Sequence, residues 1–136
     1  ILFLFSWLAF GLNIFTNFLP LIIFLIAIAF ACSSFGILLA SISKTRKQLE
    51  GMGMLIILVM SAIGGSMIPL FIMPDIMRQI AVISINFWAI DGLYDILGRS
   101  FSLYEMLFKT GILFGIGISV STIAIHFLKK NILKLF

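Results

Sequence analysis

The sequence predicts an all-α membrane protein: a polytopic bundle of about four transmembrane helices, with a short re-entrant helical pair before the last span. Three observations predict it. Of 136 residues, 62% are apolar and only 10% charged, whereas a soluble domain carries about 25% charge. That leaves too little polar surface to face water, which excludes a soluble enzyme, and the apolar content excludes a disordered chain. Residues 1–43 contain no charged side chain, and one crossing takes about 20 apolar residues, so this stretch holds two. Finally, basic residues collect at the ends of apolar runs, the positive-inside pattern. Lys44, Arg46 and Lys47 against Glu50 form one such end, and Lys129, Lys130 and Lys134 the other. The net charge of +4 comes with no basic face interleaved with aromatics, so nucleic acid is not an expected partner.

Taken in order, the first span is expected over about 1–15. Asn13, Thr16, Asn17 and Pro20 break the apolar block, because proline lacks a backbone donor and disfavours helix at the residue before it. The second span covers about 20–43 and leaves the bilayer at a basic loop, 44–50. The third covers about 51–67, with SAIGGSMIP at its end, and the fourth about 108–128, ending in the basic tail HFLKKNILK. An even number of crossings then separates the two basic segments, which share one face. Ile1 begins inside an apolar run with no basic leader, which reads as a piece of a longer polypeptide rather than a signal peptide. The sequence forms one transmembrane domain without repeats.

The stretch 69–99 differs. Only 12 uncharged residues lie between Arg78 and Asp91, too few to cross about 30 Å at about 1.5 Å per residue. Pro69 and Pro74 punctuate its start, and two amphipathic pieces follow, DIMRQIAVISI and NFWAIDGLYDILGRS. Asn86 suits a helix N-cap and Gly98 a C′ position. Asp91, Asp95 and Arg99 fall on one face at i, i+4 and i+8, and Phe87, Ile90, Tyr94 and Leu97 on another. Such helices dip into the outer leaflet and return where protein or water satisfies the bend. The carboxylates read either as solvated charges on the outer side or, in Asp91, as an anchor for the dipping helix. Gly111, Gly115 and Ser119 form a small-residue stripe that suits close packing within the chain or against a second copy. The lone Cys32 reads as a small buried hydrophobe, and it permits no intrachain disulfide or thiolate cluster. His126, near the end of the last span, reads as structural or interfacial.

The ordered run FGILLASISKTRKQLEG, then SAIGGSMIPLFIMPDIMRQIAVIS, then INFWAIDGLYDIL resembles the permease subunits of type-2 ABC exporters. The elements that carry the resemblance are Gly64, Gly65, Pro69, Met73, Pro74, Asn86, Phe87, Trp88, Ala89, Asp91 and Gly92, with Phe87 standing where the family often has proline. The resemblance covers about Phe35–Ile96. It implies the C-terminal part of a six-span permease, with two spans and the main ATPase-contacting loop upstream of Ile1. It also implies an ABC ATPase subunit or domain as partner, a second permease half, and a place in the cytoplasmic membrane with the 44–50 loop and the tail inside. The segment holding Pro69, Pro74, Asn86, Trp88, Asp91 and Gly92 would then narrow the outer exit. Lys44, Arg46 and Lys47 form either a topogenic loop or an added contact to the ATPase.

No Walker A sequence occurs, nor H-E-x-x-H, C-x-x-C or G-x-S-x-G. The expected chain therefore carries no catalytic residue, metal or cofactor of its own, and ATP is held by the partner. The expected function is the permease of an ATP-driven exporter of a drug, lipid or other amphipathic molecule. A channel or structural membrane subunit and an intramembrane lipid enzyme are the alternatives.

Overall fold

The computed structural model describes residues 1–11, 16–98 and 102–133, and these are helical with no strand among them. The helices are α1 (Leu2–Phe10), α2 (Phe18–Ile42), α3 (Arg46–Ile63), α4 (Asp75–Ala81), α5 (Ile85–Leu97) and α6 (Leu103–Leu133), with a 3₁₀ turn at Leu70–Ile72.

Each boundary has a local cause. Gly11 adopts φ 63° and donates its N–H to Trp7 O, which stops α1 at Phe10 rather than at residue 15. Nine residues reach about 14 Å, less than half a hydrocarbon core. Asn13 of the expected turn lies outside the described residues, while Thr16 and Asn17 do form a turn. Pro20 sits in the first turn of α2, where its missing N–H would have had no intrahelical partner. Thr45 caps α3 by accepting from Gln48 N at 3.2 Å, and Gln48 Oε1 reaches back to Lys44 N at 3.0 Å. The expected 44–50 loop therefore shrinks to a tight turn, and Arg46, Lys47 and Glu50 are helical. At the other end Gly64 N–H closes on Met60 O, and Gly65 takes φ 90°, a conformation that favours glycine. Pro69 and Pro74 then open the 3₁₀ turn and α4.

Among the described residues, α2 and α6 alone are both long and apolar enough to cross a membrane; α4 and α5 would add a third span only as one bent unit, and they meet at 105°. The all-helical class is as expected, and the exact count of four spans is not confirmed. The described part of α1 is too short, and α3 starts with charges at Arg46, Lys47 and Glu50. The last helix, in contrast, is longer than expected, beginning at Leu103 and taking in Lys109, Lys129 and Lys130; Lys134 lies outside the described residues.

α2 and α6 run parallel. Moving along both, Phe30 lies on Phe114 (centroids 5.8 Å apart), Gly117 on Phe30 and Ala31, Ser121 Oγ donates to Ser34 Oγ at 2.8 Å, and Asn131 Nδ2 donates to Ser41 O at 2.7 Å. The last bond satisfies one of the final carbonyls of α2. Small residues bring the helices together, since a Cβ on Gly117 would stand 2.5 Å from the Phe30 ring. Leu21, Phe24, Ala27 and Ala31 of α2, Ile85 and Ile96 of α5, and Met106 and Leu113 of α6 complete this core. Two corrections follow. Gly111 and Gly115 face open space, so their stripe does not pack within the chain, and Gly117 is the glycine that does. Cys32 is exposed on α2, not buried.

Parallel α2 and α6 have a topological consequence. Between them the chain must make one net return, so α3 and the α4–α5 hairpin cannot both be complete passes.

Candidate functional site

The α4–α5 hairpin is pinned at three levels. At its apex, Ser84 caps α5 by accepting from Asn86 N at 3.2 Å while its hydroxyl donates to Met60 O at 3.1 Å. One side chain thereby serves the start of α5 and the end of α3. Asn86 is not the cap that its sequence position suggested. Two residues further on, it donates from Nδ2 to Ser61 Oγ at 3.2 Å and Ser66 Oγ at 3.3 Å. Gly64 makes this crossing possible, because a Cβ there would lie 2.6 Å from both Asn86 Cβ and Ser84 Oγ. Trp88 Nε1 donates to Val82 O at 2.8 Å, and the indole meets Phe87 edge-on. Irregular backbone inside a bilayer needs such partners.

The second pin is ionic. Asp91 and Asp95 lie one turn apart on α5, and both accept from Lys109 Nζ of α6, at 2.6 Å for Asp91 Oδ2 and in close contact for Asp95 Oδ2. The side chains of Lys109, Asp91 and Asp95 are only 12%, 18% and 9% exposed. The expectation of solvated outer-face charges is therefore wrong for this pair, and Arg99, their expected partner, lies outside the described residues. Lys109 ties Asp91 and Asp95 together, so its loss would leave the buried Asp91 carboxylate without its cation.

The third pin is at the end of α5, where Asn17 Nδ2 donates to Ile96 O at 3.3 Å, one of that helix's last carbonyls. Gly98 ends the helix with φ −129°, not in the left-handed conformation its C′ reading implied. Between the pins, Gly92 presses on Phe24 so closely that a Cβ would stand 2.1 Å from the ring. The free side of α5, with Ile90, Leu93, Tyr94, Leu97 and Gly98, borders an open apolar cavity of about 360 Å³.

The structure thus brings together Asn86, Trp88, Asp91 and Gly92 on α5, with Pro69 and Pro74 shaping the approach to it. Lys44, Arg46 and Lys47 are not part of this site. They are exposed at the far end of α2, and no ion pair among the described residues involves them. Two of them occupy the first turn of α3, where a cation works against the helix dipole, so they are not placed to stabilise that helix. His126 is exposed and stacks edge-on with Phe127. Among the described residues, no group of three or more His, Cys, Asp or Glu is placed to hold a metal.

Sequence reasoning missed Lys109, Ser84 and Asn17. Lys109 had a readable signal, a cation at the start of a long uncharged run (110–128), which calls for an acid nearby. Ser84 and Asn17 had none beyond their residue type.

A family model for the ABC-2 family transporter protein matches residues 1–126. No curated protein and no solved structure matches the chain.

Proposed function

The chain belongs to the ABC-2 family of transporter proteins, and from that premise we propose that it is the C-terminal membrane part of an ATP-driven export permease. As a family member it is a multi-pass transport component that works with an ABC ATPase. In the proposed assembly that ATPase, a separate subunit or domain, holds and hydrolyses ATP. Two permease halves enclose the path of a drug, lipid or other amphipathic cargo across the cytoplasmic membrane. The basic turn at Lys44, Arg46 and Lys47 and the basic end of α6 face the cytoplasm, with the turn within reach of the ATPase. The hairpin lies at the outer side, where the apolar face of α5 borders the exit.

The observation that carries this reading is the double attachment of α5, to α3 through Ser84 and Asn86 and to α6 through Asp91, Asp95 and Lys109. Movement of either helix on ATP binding would be passed to the hairpin rather than absorbed. Such coupling needs an element whose two arrangements are biased differently by nucleotide and cargo. Export by the full transporter in vesicles tests it. Asp91→Asn should lower ATP-dependent export at an unchanged membrane level, and inactivating the partner ATPase should abolish it. Export that continues without the ATPase, or is unaffected by Asp91→Asn, refutes the reading.

A further inference from the structure

α2 and α3 leave the turn at residues 43–45 antiparallel and touch where Leu39 Cδ1 lies 4.0 Å from the space above Gly53, the one buried residue described in α3. Beyond that contact they part. The cleft between them has a volume of about 230 Å³ and is lined by Cys32, Phe35, Gly36 and Leu39 of α2 and Ile57 and Met60 of α3, with Ile85 and Asn86 at its inner end. Cys32, Gly36 and Ile57 are exposed, so the cleft opens sideways, and a Cβ on Gly36 would meet nothing within 4 Å. Along α2 it runs from about 6 Å to about 16 Å beyond Ser43, the depth of one leaflet's acyl chains.

Past the Leu39–Gly53 contact, at the turn and the start of α3, stand three exposed cations within four residues, Lys44, Arg46 and Lys47, against one acid, Glu50. An apolar slot one leaflet deep beneath a cationic rim matches a molecule with an anionic head and a hydrocarbon tail. We propose that this cleft holds an anionic phospholipid, its phosphate on Lys44, Arg46 and Lys47 and one acyl chain along Leu39, Gly36, Cys32 and Ile57. The proposal requires a membrane-embedded chain and is independent of the direction or cargo of transport.

The test uses the purified transporter in nanodiscs of phosphatidylcholine with graded phosphatidylglycerol, and retained lipid is counted by native mass spectrometry. The wild type should retain phosphatidylglycerol in preference to phosphatidylcholine. Replacing Lys44, Arg46 and Lys47 together by Gln should weaken that preference at least about 10-fold, from an attraction of about 5-fold per surface cation. Gly36→Phe, whose Cβ enters open space and whose ring would occupy the slot, should remove the retained lipid, and Gly111→Phe, on an open face of α6, should not. Thermal midpoints close to the wild type establish that the variants are folded. Glycerol phosphate, a head without a tail, should not compete. A photoreactive reagent on Cys32, the one cysteine of the sequence, should capture lipid. Equal retention of the two lipids, retention indifferent to Gly36→Phe, competition by glycerol phosphate, or capture of protein at Cys32 would each overturn the proposal.

Discussion

Lys109→Met is the most informative single change, because it keeps most of the length of the side chain and removes its ammonium group. If the contacts with Asp91 and Asp95 were solvated, an exposed pair would be worth about 0–1 kcal/mol and the variant would be close to silent. The three side chains are instead 9–18% exposed, so the cost of stranding a buried charge applies, about 3–5 kcal/mol. At about 1.4 kcal/mol per tenfold, the folded-to-unfolded ratio should fall by about 100-fold to several thousand-fold. Denaturant titration in mixed micelles reads this directly, with the fluorescence of Trp88, which lies at the hairpin, as the local signal. Combining Lys109→Met with Asp91→Asn should recover most of the loss, since the Asp91 carboxylate is then no longer left without a cation. A Lys109→Met variant within about 0.5 kcal/mol of the wild type would refute the reasoning, placing the triad in water.

Three further outcomes follow from the packing. Gly92→Ala puts a methyl 2.1 Å from the Phe24 ring and should cost about 1–3 kcal/mol, partly restored by Phe24→Leu in the same unfolding assay. Gly115→Ala enters open space and should be neutral to stabilising within about 1 kcal/mol; a clear loss would mean that another protein surface packs there in the assembled transporter. Asn86→Ala removes its bonds to Ser61 and Ser66, costing about 1 kcal/mol for each, and should speed hydrogen exchange around residues 64–66 and 84–88. Unchanged exchange would detach the apex from α3.

What the sequence made legible and what it hid divide along physical lines. Long uncharged runs announced α2 and α6, because length and hydropathy alone decide them. The hairpin was legible from Pro69, Pro74 and two apolar pieces too short to cross. The start of α3 was misplaced because charge was read as loop, although Thr45 and Gln48 spell a capping pair. The small stripe on α6 misled for a different reason. Gly111 and Gly115 offer one small face and Thr110, Gly117 and Ser121 another, and only the seat of Phe30 on α2 selects between them. The readings of Asp91 and Asp95, solvated charges or an anchor in Asp91, stayed open because the cation they meet lies on the next helix, a pairing that local spacing does not reveal.

The central claim is that the hairpin enters and leaves through one face of the membrane, opposite the basic turn. In a Cys32→Ser background, single cysteines at Ile72 and Tyr104, both exposed and flanking the hairpin, can be labelled in intact cells with an impermeant maleimide, with Lys47→Cys as the opposite marker. Labelling of Ile72→Cys and Tyr104→Cys from outside, with Lys47→Cys reached only after the cells are opened, is the predicted result. Labelling of Ile72→Cys and Tyr104→Cys from opposite sides would make α4 and α5 a true span and contradict the account.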